Sequence, residues 1–147
     1  MKLNPFKEEA KVALLVDGPN LLRKEFSIDL RELKRRAKKY GRIVVAKVFI
    51  NQFAPEKLIE AIINEGFECV MVLAEKEESD VDVSLAVAAV ETIFTKDVDV
   101  IALATRDADF LPLIQKAKEA GKVTVLIAVK PGLAASLKHS ADHVELL

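Results

Sequence analysis

Three short acidic segments stand out among the 147 residues: Asp17-Gly18-Pro19-Asn20, Ser79-Asp80-Val81-Asp82 and Thr105-Arg106-Asp107-Ala108-Asp109-Phe110. Their carboxylates are hard oxygen donors carrying like charge. Two such charges about 4 Å apart repel by about 4 kcal/mol at an effective dielectric near 20. A group of three or four therefore coexists only with a shared proton, a basic neighbour or a divalent cation. No cysteine and no nearby pair of histidines accompanies them, which suits Mg²⁺ or Mn²⁺ better than Zn²⁺. Such a cation turns water into a nucleophile and stabilises charge on a phosphoryl oxygen; two would clamp the attacking and leaving oxygens. That is the chemistry of phosphodiester hydrolysis. Each segment also has a plainer reading. Asp17 to Asn20 could be a capping turn, Ser79 and Asp82 a capping box with Asp80 as the cap, and Asp107 or Asp109 the cap of the helix carrying Phe110.

The elements that would position these acids follow from the apolar pattern. Five runs rich in β-branched residues, at 12–16, 43–50, 69–73, 100–104 and 123–129, are continuous rather than alternating, as expected of strands covered on both faces. Helix-period segments lie between them. Asp29 and Glu32 form a D-x-x-E start, Leu30, Leu33, Ala37 and Tyr40 mark one face, and Gly41 stops the helix. Pro55 opens a second helix and Gly66 closes it. The segment from about 80 to 95 is apolar nearly all round, which predicts a deeply buried helix. A fourth carries Phe110, Leu113, Ile114 and Ala117 and stops at Gly121. A short fifth follows Pro131-Gly132, and residues 144–147 are expected to end as an edge strand. Strands alternating with helices predict an α/β fold: one parallel, Rossmann-like sheet with helices on both faces. Residues 1–11 read as an N-terminal extension and 12–147 as a single domain, with no linker or internal repeat.

In open sheets of this kind ligands bind beyond the carboxyl ends of the strands, where the order of strands reverses. If the first and fourth strands are neighbours, in the order 3-2-1-4-5, Asp17, Asp107 and Asp109 converge on one crevice. The head of the third helix, with Asp82, lies close by. Three acidic clusters at one edge of a sheet favour a metal site over three separate caps.

These residues resemble a known family. VALLVDGPNL, then SDVDVSLAVAAV, then ALATRDADFLPLIQKAKEAGKVTVLI and the tail VKPGLAASLKHSADHVELL are similar, in this order, to the NYN domains, the LabA-like branch of the PIN-like nuclease superfamily. The resemblance implies a PIN-like sheet and a metal-dependent ribonuclease site. It matches Asp17 to the family's first-strand acid and Asn20 to its nearby asparagine. Asp82 matches the acid of the V-D-V segment; Asp107 and Asp109 match the two acids of the S/T-G-D-x-D-F segment, and Thr105 its hydroxyl. Asp80 has no firm counterpart. Arg106 stands where the family usually has glycine, so this large cation either crowds the site or contacts substrate phosphate. In the reading that follows, the four aspartates hold Mg²⁺ or Mn²⁺ while Asn20 and Thr105 orient the phosphate or the attacking water.

Lys plus Arg total 22 and Asp plus Glu 23, for a net charge of −1, so the chain does not coat duplex nucleic acid by charge alone. The neutral total hides a polarised surface. Between Arg23 and Arg42 nine basic residues stand against three acids, offset by an acidic stretch at 75–82. Arg23, Lys24, Arg106 and Lys130 are candidate contacts for an RNA backbone; the basic residues beyond Arg35 read rather as a solvated helix face. No aromatics interleave with them, so base stacking is expected to be poorly provided for. His139 and His143, four apart, read as surface histidines and Cys69 as a small buried hydrophobe. One cysteine, no apolar run long enough to span a bilayer and no leader-like stretch predict a cytoplasmic protein without membrane contact. RNA is the expected partner, and a homodimer is left open. Two rival readings are a non-catalytic RNA-binding module of the same fold and a signalling receiver domain. The second needs an acceptor aspartate after the third strand, where Leu73 is followed by Ala74 and Glu75.

Overall fold

Strand-forming residues account for the centre of the molecule. A computed structural model describes residues 9–147; of the expected N-terminal extension, residues 1–8 lie outside the described residues. Six strands, β1 (Lys11–Asp17), β2 (Arg42–Asn51), β3 (Glu68–Val72), β4 (Val100–Ala104), β5 (Val123–Ala128) and β6 (His143–Leu146), form one sheet in the order β3-β2-β1-β4-β5-β6. Every adjacent pair is parallel. The expected order 3-2-1-4-5 is therefore present, with the C-terminal strand added at the edge. A receiver-like order, 2-1-3-4-5, places β3 next to β1; here β4 occupies that position, which removes the receiver reading.

Alternate residues of β1 serve two cores. Val12, Leu14 and Val16 pack on one face with α2 (Leu30–Lys38) and α3 (Glu56–Asn64), through Leu30, Leu33, Ala37 and Ile62. Ala13 and Leu15 pack on the other with α4 (Asp82–Thr95), α5 (Leu111–Glu119) and α6 (Ala135–Ser140), through Leu85, Ala89, Leu113 and Leu137. Local signals set the helix ends as expected. Asp29 caps α2 by accepting a hydrogen bond from the Arg31 N–H at 2.8 Å, and Gly41 and Gly66 lie just beyond α2 and α3. Of the basic residues past Arg35, Arg36 and Lys39 are not merely solvated. Both reach Glu145 of β6, which also accepts from the Tyr40 hydroxyl at 2.6 Å. They fasten α2 to the sheet edge.

Two expectations are corrected. The helix α4 is not deeply buried: Leu85, Ala89, Thr92 and Ile93 face the sheet, but Val83 and Phe94 are 77% and 63% exposed, and Val87 and Val90 also face outward. A helix lying on one sheet face has only one side to bury, and no described element covers the other. Nor is β3 covered on both faces. It is an edge strand, with Cys69 half-buried and Met71 exposed. His139 lies on α6 while His143 opens β6 against the Tyr40 ring, so the two do not share a helix face.

Candidate metal centre

The register of the sheet places the site. Val16 of β1 lies opposite Ala104 of β4, so the next residues, Asp17 and Thr105, leave the sheet side by side. Asp17 is 1% exposed and begins α1 (Gly18–Leu21), where its Oδ1 accepts from the Asn20 N–H at 3.3 Å. Gly18 allows the chain to turn there. A Cβ at this position would lie 2.4 Å from the Phe49 carbonyl oxygen of β2, so only glycine can pass so close to the neighbouring strand.

Thr105, fully buried, joins the two strand exits. Its Oγ1 donates to Asp17 Oδ2 at 2.9 Å and accepts from the Asp107 N–H at 3.2 Å. Asn20 completes the junction, its Oδ1 accepting from the Arg106 N–H at 2.9 Å. Asp107 Oδ1 accepts from the Asp109 N–H at 2.9 Å and so caps the 3-10 turn Ala108–Phe110, whose Phe110 is anchored in the core. The plainer readings of Asp17 and Asp107 as caps are thus also true. A carboxylate has lone pairs to spare, and capping fixes its orientation without exhausting them. Asp82 arrives from the head of α4. Val81 pins that helix start in the core, and Asp80 Oδ1 accepts from the Asp82 N–H at 3.3 Å. No Ser79–Asp82 capping box forms among the described residues.

The outcome is a tight carboxylate group. Asp82, Asp107 and Asp109 each offer an oxygen, and all three oxygens lie within 4.8 Å of one another. The buried Oδ1 of Asp82 receives no N–H or O–H from the described protein. Burial, then a hydrogen bond to Asp107 in the protonated form, then repulsion from Asp17, Asp107 and Asp80 raise the Asp82 pKa well above the carboxylate range. Asp17 lies behind this group. Burial pushes it up to about 6 against the hydrogen bonds from Thr105 and Asn20, with further upward contributions from Asp107 and Asp80. Such a site holds a proton or a cation in place of full ionisation. The all-oxygen donor set and the orphaned oxygen fit a hard divalent ion, which Asp82, Asp107 and Asp109 can hold.

The remaining expected site residues fall around this centre in different ways. Arg106 does not crowd the acids. Its guanidinium turns away, donating to the Pro131 carbonyl at 2.8 Å and the Asn20 carbonyl at 3.0 Å, and its carbon lies 4.5 Å from the centre of the Phe26 ring. Gly132, at φ 72°, makes room for it: a Cβ there would lie 2.3 Å from Arg106 Nη1. Position 106 itself needs no positive φ, which is how a large residue stands where glycine was expected. Lys130 is exposed at the end of β5; Arg23 pairs with Glu25 at 2.7 Å, and Lys24 is exposed beside it. Asn51, buried at the end of β2, was missed. Its Nδ2 donates to the carbonyls of Glu77 and Ser79, at 3.1 and 3.3 Å, and so holds the segment that delivers Asp82. An asparagine at a strand's carboxyl end was the available signal.

Fold and acids together define a PIN-like α/β domain with a candidate metal centre at the carboxyl edge. The NYN domain family model matches residues 11–147, and the chain belongs to that family, within the PIN-like nuclease superfamily. It is similar to the uncharacterized protein MJ0482 of Methanocaldococcus jannaschii, with 49% identity over 138 residues, 94% of this chain and 55% of that protein. The chain therefore spans about half the length of this relative. Among solved structures, the Vibrio parahaemolyticus protein of unknown function VPA0982 superposes with a TM-score of 0.80 at 23% identity, over 100% of this chain and 96% of that one. At that identity the likeness concerns the fold. Among the described residues no helix is long and apolar enough to cross a membrane.

Proposed function

We propose that this chain is a metal-dependent ribonuclease, acting in the cytoplasm, that hydrolyses RNA phosphodiester bonds. The observation that carries the reading is the convergence of Asp82, Asp107 and Asp109, from two separate segments, around a buried oxygen with no donor among the described residues. These three, with Asp17 behind them, would hold Mg²⁺ or Mn²⁺. When bound, the cation supplies charge neutralisation at the phosphate and a lowered pKa for water. The chain's own residues do the rest. Asp82, whose burial and acidic neighbours favour its protonated form, would give up that proton on taking a cation. Thr105 Oγ1 is buried and already donates to Asp17, which makes it a positioning group rather than a nucleophile, so water is the attacking species. Asn20 fixes the turn that carries Asp107. Arg106 braces that turn from behind, while Arg23, Lys24 and Lys130 offer charge to RNA phosphates.

The test is cleavage of single-stranded RNA by the purified chain in Mn²⁺ or Mg²⁺, in EDTA, and by Asp107→Asn. Loss of one such electrostatic group lowers turnover by about a hundredfold or more. The reading expects that loss, together with inhibition by chelator. Cleavage that persists in EDTA and in the variant contradicts the mechanism. RNA binding that tightens with metal but yields no product supports the non-catalytic module instead.

A further inference from the structure

The turn that carries Asp107 and Asp109 is tied to the rest of the carboxyl edge through Arg106, the residue before it. The Arg106 main chain is held on both sides. Its N–H donates to Asn20 Oδ1 at 2.9 Å, and its carbonyl accepts from the Ala134 N–H at 3.4 Å. The side chain adds bonds to the Asn20 and Pro131 carbonyls and lies over the Phe26 ring. A single residue thus connects the exits of β1, β4 and β5 to the 3-10 turn Lys24–Phe26.

The side chain is built into this junction rather than laid on its surface. Arg106 has no ion pair among the described residues, and its buried Nε finds no acceptor among them. A guanidinium held by neutral carbonyls, with one buried N–H unsatisfied, costs stability. What it provides is geometry. A planar fork bonds two carbonyls while its face covers an aromatic ring, which a lysine cannot do. Phe26 is only partly buried, in a turn with no fully buried residue and followed by Ser27 at a left-handed φ of 48°. The guanidinium covers a ring that the core leaves open. Gly132 leaves the space that the guanidinium fills, and a Cβ there would meet Nη1 at 2.3 Å.

We infer that Arg106, Phe26 and Gly132 form one clamp that positions the turn of Asp107 and Asp109 and so sets how tightly the acids hold a cation. Phe26 and Gly132 belong to segments that contribute no carboxylate to the cluster. The inference rests on the metal reading for its effect on affinity, but the positioning of the turn is measured without metal.

The sign of the effect separates this role from charge. A guanidinium one residue from a metal ligand repels the cation. If Arg106 acted by charge alone, Arg106→Ala would tighten Mn²⁺ binding. Loss of a clamp weakens it, because two of the three ligands must then be ordered as the cation enters. Removing groups that support metal ligands typically lowers metal affinity by about tenfold to a hundredfold.

The experiment pairs Mn²⁺ titration calorimetry with amide hydrogen exchange at residues 106–110 in metal-free protein. The proteins are wild type, Arg106→Ala, Arg106→Lys, Phe26→Ala, Phe26→Tyr, Gly132→Ala, the double variant Arg106→Ala/Gly132→Ala and, as a control on α6, Lys138→Glu. Each is checked for fold by thermal melting. Arg106→Ala is expected to weaken Mn²⁺ binding about tenfold or more. It also speeds exchange of the Arg106 and Asp109 N–H groups about fivefold or more. Arg106→Lys restores little of either. Phe26→Ala and Gly132→Ala move both readouts in the same direction, Phe26→Tyr keeps the ring and stays at wild-type level, and Lys138→Glu changes nothing. The double variant binds no more weakly than Arg106→Ala, because both changes break the same contact. Unchanged or tighter Mn²⁺ binding in folded Arg106→Ala, unchanged exchange, or additive losses in the double variant overturn the clamp. A lower melting temperature alone does so too, since it leaves Arg106 a stabilising residue only. If the clamp fails while Asp107→Asn still abolishes Mn²⁺ binding, the metal reading survives. If wild type binds no Mn²⁺, the metal reading falls and exchange at 106–110 decides the clamp by itself.

Discussion

Asp17 and Asp82 retain protons at pH values where free carboxylates have lost them, and this has a definite sign. Both folded-state pKa values lie above the unfolded value of 3.8, Asp17 at about 6 and Asp82 raised as well. Above pH 4 the folded chain therefore holds protons that the unfolded chain has released, so the contribution of these groups to stability falls as pH rises. A divalent cation reverses that fall. The thermal shift produced by Mg²⁺ or Mn²⁺ is expected to be larger at pH 8 than at pH 5; an equal shift at both would argue against binding at these acids. Asp82→Asn removes a charge from the cluster, so the metal-free variant is expected to melt about 2–5 °C above wild type at pH 8. It also loses most of the metal-induced shift. Scanning calorimetry with and without cation reads both. Thr105→Val tests the junction: it leaves Asp17 Oδ2 and the Asp107 N–H short of a partner and is expected to lower stability by about 1–3 kcal/mol in urea unfolding.

At the scale of elements, α4 is the instructive case. Its residues are apolar nearly all round, and composition alone cannot tell a helix sunk between layers from one lying on a single face. The structure separates the two sides, with Leu85 fully buried and Val87 exposed. Leu85→Ala is expected to lower stability by about 2–5 kcal/mol, whereas Val87→Gln changes it by no more than about 0.5 kcal/mol; comparable losses would mean that the outer side is covered in solution. The strands and most helix ends were readable because their signals are local: β-branched runs, the Asp29 cap, Gly41. Arg106 was not. Its bonds to the Asn20 and Pro131 carbonyls, and the space that Gly132 leaves for it, join segments far apart in sequence. Asn51 escaped notice for the same reason, since what it does depends on the 77–79 segment folding back over β2.

Across the whole molecule, the order of strands does the assembling. Placing β4 beside β1 brings Asp17 and Thr105 out of the sheet together, and the segment that follows β3 delivers Asp82, at the head of α4, to the same edge. The acids were readable as a group because each directly follows a strand or heads a helix, and a parallel sheet delivers such positions to one rim. Their inequality was not readable. Asp17 is buried and held by Thr105, while Asp82, Asp107 and Asp109 form the open group. That grouping is the central claim, and a crystal soaked in Mn²⁺ addresses it most directly. An anomalous peak within coordination distance of the Asp82, Asp107 and Asp109 carboxylates, absent from Asp107→Asn, is the predicted result. Saturating Mn²⁺ that leaves these oxygens bare, or that binds only elsewhere on the surface, contradicts it.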